Sequence, residues 1–371
     1  METYKIHSRT LADGSVNSTY AFRFEGTRKD VKSTYIQSGI HGAEVQGYLV
    51  SLKLIEYFKK NKPNGNVTIV PIANPYGLNC KIGEHTLGRF DLTTGRNWNR
   101  NYINNSTVAK KILRENKNLE YHHLIKLFKE EIKKNLKKKI NKLNNDDYAK
   151  KLAIDLQIAS SDADIVLDLH CDTISKPHIY SPNYALESAI EFDISFIIEI
   201  PNKFKNALDE AIFYPWLSLM NSYNKLYPKS KVYHPYIESF TIELGNREQI
   251  NPQMADIQYK NILRYLSKND ICQKIENNNN KNKIISCKLK DFIIINAPTG
   301  GLIIDSVELG QKINARNKIM TLSMPSDISK NSSKTTDIIY KYDSIPITKT
   351  CTPIVHEGMI IAKLMTKFKY L

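Results

Sequence analysis

Apolar residues along this chain recur in two rhythms. Thr34-Tyr35-Ile36-Gln37 is a short run rich in β-branched and aromatic residues and predicts a strand. After it, Val45, Leu49, Val50, Leu52, Leu54, Ile55 and Phe58 fall at helical spacing, so strand, turn and helix are expected in succession. "VTIVPIANPYG" predicts a buried strand ending in an Asn-Pro turn. Further on, Leu124, Phe128, Ile132, Leu136, Ile140 and Leu143 recur at steps of four or three, with Leu127 between them, and predict one or two amphipathic helices. An α/β rhythm resumes from residue 152 with a helix, then "ADIVLDLH" and "SFTIELGN" as strands. The asparagine-rich "QKIENNNNKNK", residues 273–283, is the best domain boundary. Beyond it, "DFIIINAPTGGLIIDSVELGQKINARNKIMTLSMP" alternates short strands with Gly, Asn and Pro turns and predicts a small β-domain. The expected organisation is an α/β domain over 1–275, interrupted by a basic helical insertion at about 104–151, and a β-domain over 284–371.

Composition refines this picture. With 371 residues, 41% of them hydrophobic, the chain can bury two cores. Its 53 Lys and Arg against 38 Asp and Glu give a net charge of +15. The excess is uneven: residues 110–151 hold 14 basic against six acidic residues, on what should be the outer face of the amphipathic helices. A basic balance suits nucleic acid, anionic membranes or small acidic substrates. The basic stretch has little aromatic interleaving and no recognised nucleic-acid module, so a solvated face that steers acidic substrates is preferred to a nucleic-acid-binding protein. Five scattered cysteines, odd in number and without a CxxC pair, argue against a disulfide framework and fit a reducing compartment. No signal-peptide-like start or membrane-length apolar run is visible, so a cytoplasmic protein without a membrane partner is expected.

Chemistry enters with "SGIHGAEVQG", residues 38–47. It puts His41 where a strand should end and Glu44 in or near the first turn of the next helix. Both side chains can then point at one spot above the carboxyl edge of a sheet, where open α/β sheets place their ligands. A catalytic zinc takes three protein ligands and keeps a position open for water. His170, at the end of the apolar strand in "DIVLDLHCD", is the candidate third ligand. Hydrolysis also needs a base, for which Glu243 in "TIELG" qualifies if the Leu244-Gly245 turn exposes it; alone it reads as a surface glutamate. Asp168 precedes His170 by two residues on the same strand face and is either its hydrogen-bond partner or a local backbone cap. His178 and Tyr180 are candidates only to line the pocket. The run "LGRFDLTTGRNWNRN" groups Arg89, Arg96 and Arg100 with Asn97, Asn99 and Asn101: a carboxylate cradle, a phosphate-contacting loop or a solvated surface.

Taken in order, "GIHGAE", "ANPYG", "GRFDLTTGRNWNRN", "DLHCD", "TIELG" and "APTGGLI" resemble the succinylglutamate desuccinylase/aspartoacylase branch of the zinc carboxypeptidases. The resemblance runs from residue 39 to 303 and implies a zinc-carboxypeptidase-like mixed sheet flanked by helices, with a smaller C-terminal β-domain that shapes the active-site channel. It implies one zinc ion per chain on His41, Glu44 and His170, and Glu243 as general acid/base. It further implies that Arg89 polarises the scissile carbonyl and that Asn99 and Arg100 grip a substrate carboxylate. Asn97-Trp98-Asn99-Arg100 stands where many relatives have Asp-Leu-Asn-Arg, a departure expected to bear on the substrate. The expected activity is zinc-dependent cleavage of an amide bond in an N-acyl amino acid or similar small carboxylate-bearing substrate. A metallocarboxypeptidase acting on peptide C-termini shares every residue named. An inactive relative is disfavoured because all the expected ligands are present. Oligomeric state is left open, homo-oligomers included.

Overall fold

The computed structural model describes residues 1–116, 120–144, 147–228, 235–275, 282–324 and 334–371. In chain order its main elements are β1 (Glu2–Thr10), β2 (Val16–Phe24), β3 (Thr34–Ser38), α1 (Gln46–Lys60), β4 (Val67–Val70), α2 (Ser106–Glu115), α3 (Tyr121–Ile140) and α4 (Tyr148–Ser160). There follow β5 (Ile165–Asp172), β6 (His178–Pro182), β7 (Phe196–Ile200), α5 (Leu208–Leu226), β8 (Glu238–Asn246), α6 (Pro252–Lys268) and β9 (Ile285–Lys288).

These strands form one mixed sheet in the order β1-β2-β4-β3-β5-β8-β6-β7-β9, with Lys369–Tyr370 at the far edge. Strands β4, β3, β5 and β8 run parallel, each to its neighbour, whereas β6 lies antiparallel to β8. The central strands are apolar along almost their whole length because helices cover both faces. One face carries a core including Ile36, Leu167, Leu169 and Ile242 with Leu54 and Phe58 of α1 and Leu263 of α6. The other carries Tyr35 and Val166 with α2 to α5.

The lysine-rich stretch becomes α2, α3 and the start of α4. Leu124, Phe128, Ile132 and Leu136 are buried as their spacing predicts, while Leu127, Ile140 and Leu143 are partly buried. Phe128 meets Trp216 of α5 edge-on, with ring centroids 4.9 Å apart. This helix therefore roofs the sheet rather than hanging from it.

Most of "QKIENNNNKNK" lies outside the described residues. Past it the chain first adds β9 to the main sheet. It then forms two four-stranded sheets, one built on Phe292–Asn296, Ile360–Met365 and Ile345–Lys349, the other on Lys334–Ile339, Lys318–Met324 and Gly301–Ser306. Ile174–Ser175, just after β5, is the fourth strand of the first of these, so the small β-sheets are stitched to the neighbourhood of the main sheet's carboxyl edge.

Phe128→Ala removes a fully buried ring from the α3–α5 contact and should cost about 3–5 kcal/mol of folding free energy. Denaturant unfolding checks this; an unchanged midpoint would show that α3 is dispensable to the core.

Candidate metal centre

The turn between β3 and α1 brings the first two donors into place. Gly39 adopts φ +70°, a left-handed conformation that glycine takes without strain, and turns the chain away from β3. His41 and Glu44 both lie in the irregular segment before α1 begins at Gln46. The Gly42 N–H donates to the Gly88 carbonyl at 2.9 Å. A Cβ on either Gly42 or Gly88 would fall inside contact distance of the Gly77 carbonyl. Three backbones thus stack without side chains between them, pinning the Arg89 loop against the His41 turn.

Sheet register supplies the rest. Ser38, the last residue of β3, pairs with Leu169 of β5, so His170 projects one step beyond the edge of β3. In turn Glu243 of β8 is the partner of His170 on one side and of His178 of β6 on the other. His170, Glu243 and His178 therefore form one row across three strands. Asp168, Thr241 and Tyr180 form the row behind it. Contrary to the sequence-based expectation, β8 does not end at Glu243: it continues to Asn246 through an irregularity in register at which Gly245 has φ +127°. Glu243 is half-buried within a strand rather than displayed on a turn.

His41, Glu44 and His170 are all buried, and one donor atom from each lies within 4.8 Å of the others. Glu44 Oε1 is 2.8 Å from His41 Nδ1, and Oε2 is 2.7 Å from His170 Nδ1. The far nitrogens show which tautomers are present. His41 Nε2 lies 2.9 Å from Asn97 Oδ1, an oxygen identified by the Asn99 backbone N–H that also donates to it. His170 Nε2 lies 2.9 Å from Asp168 Oδ2. Each Nε2 must therefore carry a proton and donate it, leaving both Nδ1 lone pairs aimed at the Glu44 carboxylate. Lone pairs face lone pairs unless a cation sits among them, and the donor set is one that suits zinc.

Protonation follows the same logic. Burial alone would raise Glu44, but His41 and His170 hold it well below the usual carboxylate range. Burial would likewise depress His170, yet Asp168 and Glu44 together keep it well above the ordinary imidazole value. In the metal-free protein a second proton on His170 thus supplies the positive charge the site is built around. Burial dominates at His41 and pushes its pKa down.

Asp168 is the partner of His170, one of its two sequence readings. The structure reassigns Asn97: it holds His41 from behind, so its departure from the relatives' aspartate bears on a ligand histidine, not directly on the substrate. Asn99 is buried, with Nδ2 3.2 Å from His170 Nε2 and Oδ1 accepting from the Leu208 N–H at 3.4 Å. Arg100 stays exposed, with Nη1 donating to the Asn99 carbonyl at 2.6 Å. Arg89 reaches Glu44 Oε1 at 3.3 Å. Arg89, Asn99 and Arg100 border, with His41, Glu44 and His170, a cavity of about 290 Å³.

Sequence reasoning missed several of its walls. Lys363, from the C-terminal part, forms an ion pair with Asp172 at the end of β5. Asp209, in the first turn of α5, is pushed up to about 7 by burial and then by Glu210. Long-range packing alone brings these residues in. Glu243 itself is raised to about 8, first by burial and then by Asp172 and Glu44, and its Oε2 is solvent-shielded, with no hydrogen-bond partner among the described residues. His178, pushed down to about 4 by burial, is neutral; its Nδ1 is engaged by the Lys176 carbonyl at 2.9 Å.

A cation between two imidazoles and a carboxylate, with a further glutamate beside it, is the apparatus of metal-assisted hydrolysis. The class of protein this fold and site define is a zinc-dependent amide-hydrolysing enzyme. Residues 30–268 match the model of the succinylglutamate desuccinylase/aspartoacylase catalytic domain, and the chain belongs to that family. It is similar throughout to a protein of Shewanella amazonensis assigned to the same family: 31% identity, TM-score 0.92, both chains covered in full. A counterpart from Shewanella frigidimarina shows 30% identity and a TM-score of 0.92, covering 100% of this chain and 97% of that one. The product-bound ectoine utilization protein EutE (DoeB) of Ruegeria pomeroyi shares the fold at 13% identity and a TM-score of 0.66, covering 98% of this chain and 95% of its own. No curated protein matches the chain. Among the described residues, no helix is long and apolar enough to cross a membrane.

Between pH 4.5 and about 8, the folded metal-free protein carries a proton on Glu243 that the unfolded chain has lost. Its stability should therefore fall as pH rises through this window. Glu243→Gln should remove that part of the slope. Urea midpoints of metal-free wild type and variant across the window check this, and parallel curves would exclude a protonated Glu243.

Proposed function

We propose that the enzyme holds one zinc ion per chain on His41, Glu44 and His170 and deacylates an N-acyl amino acid or a similarly small carboxylate-bearing amide. The observation that carries this reading is Glu243: a half-buried carboxylate whose shielded Oε2 has no partner among the described residues, one strand from a ligand histidine. The name shared by the Shewanella relatives refers to removal of succinyl and other acyl groups, which fits the same chemistry.

A bound zinc ion supplies Lewis acidity, polarising a carbonyl and bringing the ionisation of water toward neutral pH. Glu243 takes the proton of the attacking water and later delivers it to the leaving amine, a task suited to a pKa raised toward the working range. Arg89 is anchored by one N–H on Glu44, and its remaining donors stabilise the charge that develops on the carbonyl oxygen. Arg100, with Asn99 beside it, grips the carboxylate at the unreactive end and fixes the distance to the scissile bond. Asn97 and Asp168 keep the two imidazoles in the tautomers that leave Nδ1 free. Leu289 and Lys363 wall the cavity on the side of the C-terminal sheets, which favours a small substrate over a peptide terminus.

Glu243→Gln preserves shape but removes the base, so zinc should stay bound while amide turnover falls by about 100-fold or more. Metal analysis beside turnover measurements checks both halves; near-normal turnover would remove Glu243 from the mechanism. His170→Ala, in contrast, should lose the metal.

Arg100→Ala should impair hydrolysis of carboxylate-bearing amides far more than of their neutral esters, by about 2–5 kcal/mol in binding or transition-state stabilisation. A substrate panel decides this. Equal losses on charged and neutral substrates would sink the carboxylate anchor.

A further inference from the structure

A second cavity adjoins the first. It encloses about 580 Å³ and is lined by Arg96, Arg100, Lys139 and Lys150, with Phe204 among its apolar walls; among the described residues no carboxylate lines it. Arg100 belongs to both cavities, and Asn97, which backs His41, lines the second as well.

Ion pairs neutralise part of the basic surface around it and one of its own cations. Lys133, on the outward side of α3, pairs with Asp162, and Lys111 and Lys134 pair with Glu131. Arg96 pairs with Asp147 at 2.8 Å. Lys139 near the end of α3 and Lys150 in the first turns of α4 are both half-buried, and among the described residues neither side chain has a carboxylate partner. Nor does Arg100, whose contact is with a backbone carbonyl. Burial and then the neighbouring Lys150 depress the pKa of Lys139, as expected of two ammonium groups held near each other. Like charges held close in partly desolvated surroundings destabilise a fold. Here folding has brought three cations without a carboxylate partner among the described residues to one concave surface of ligand size.

We propose that this cavity binds a small polyanion, bearing two or more carboxylate or phosphate groups, through Lys139, Lys150 and Arg100. The anion is either the far end of an extended substrate, whose amide lies at the metal centre, or a separate ligand that acts on turnover through Arg100. The first source rests on the deacylase reading above; the site itself does not.

The test uses zinc-loaded wild type and the Lys139→Gln/Lys150→Gln variant, titrated calorimetrically with tricarballylate at low ionic strength, with zinc content followed in parallel. Wild type should bind with an affinity that falls as salt rises. The variant should bind at least about tenfold more weakly, or about 1.4 kcal/mol. Without the anion it should melt no lower than wild type, since a repulsion has been removed. If it melts lower, the single changes Lys139→Gln and Lys150→Gln are titrated instead. A higher KM for a substrate with an additional distal carboxylate, at unchanged kcat and with a monocarboxylate substrate unaffected, assigns the cavity to the substrate. A tricarballylate effect on monocarboxylate turnover in wild type but not in the variant assigns it to a separate ligand. No binding to wild type, or equal binding to both proteins, overturns the proposal. Because titration needs no turnover, absence of deacylase activity would defeat the functional reading and leave the site standing.

Discussion

The buried carboxylate of Glu44 is the constraint around which this enzyme is organised. A charge removed from water needs compensation, and four groups surround Glu44. His41 and His170 face its two oxygens, the Cys171 backbone N–H donates to Oε2 at 3.1 Å, and Arg89 reaches Oε1. These four partners come from three parts of the chain: the turn after β3, the end of β5 and the loop carrying Arg89. Parallel pairing of β3 with β5 is what lets two of them share a side of the sheet. Remove the cation that these groups imply, and the protein substitutes a proton on His170 to keep the balance.

Charge is layered outward from that point. Inside are carboxylates: Glu44, Asp168, Asp172 and Glu243. At the mouth stand Arg89, Arg100, Lys205 and Lys363. Beyond them lie the lysines of α3 and α4. A basic rim around an acidic interior attracts anions to this face and disfavours their entry beyond the rim.

Local spacing made the ligands legible. His41 and Glu44 sit on one turn bounded by recognisable strand and helix, and His170 closes a run of apolar residues, so position along the chain carried their meaning. The amphipathic repeat of α3 was legible for the same reason: Leu124, Phe128, Ile132 and Leu136 obey a helical period that packing then honours. What could not be read was set by pairing between distant segments. The antiparallel placement of β6 beside β8 puts His178 against Glu243, and no local pattern announces that register. Lys363 meets Asp172 across almost two hundred residues of chain. Asn97 looked like a substrate residue because it lies in a polar loop; only the fold turns its oxygen toward His41. Glu243 was found through its strand, but its burial depends on β8 running on past it.

The bare-backbone stack of Gly42, Gly77 and Gly88 has a consequence for how such an enzyme can change. Side-chain contacts can be altered a methyl group at a time, whereas a seam with no side chains offers no such gradations. The turn that carries the metal donors and the loop that carries Arg89 must therefore be inherited together or lost together. Novelty in what the enzyme acts upon has to arise elsewhere, and α3 and α4 offer the room: their outward lysines can be exchanged singly while the buried face of each helix stays as it is. The protein divides into a part that tolerates no experiment and a rim on which experiment is cheap.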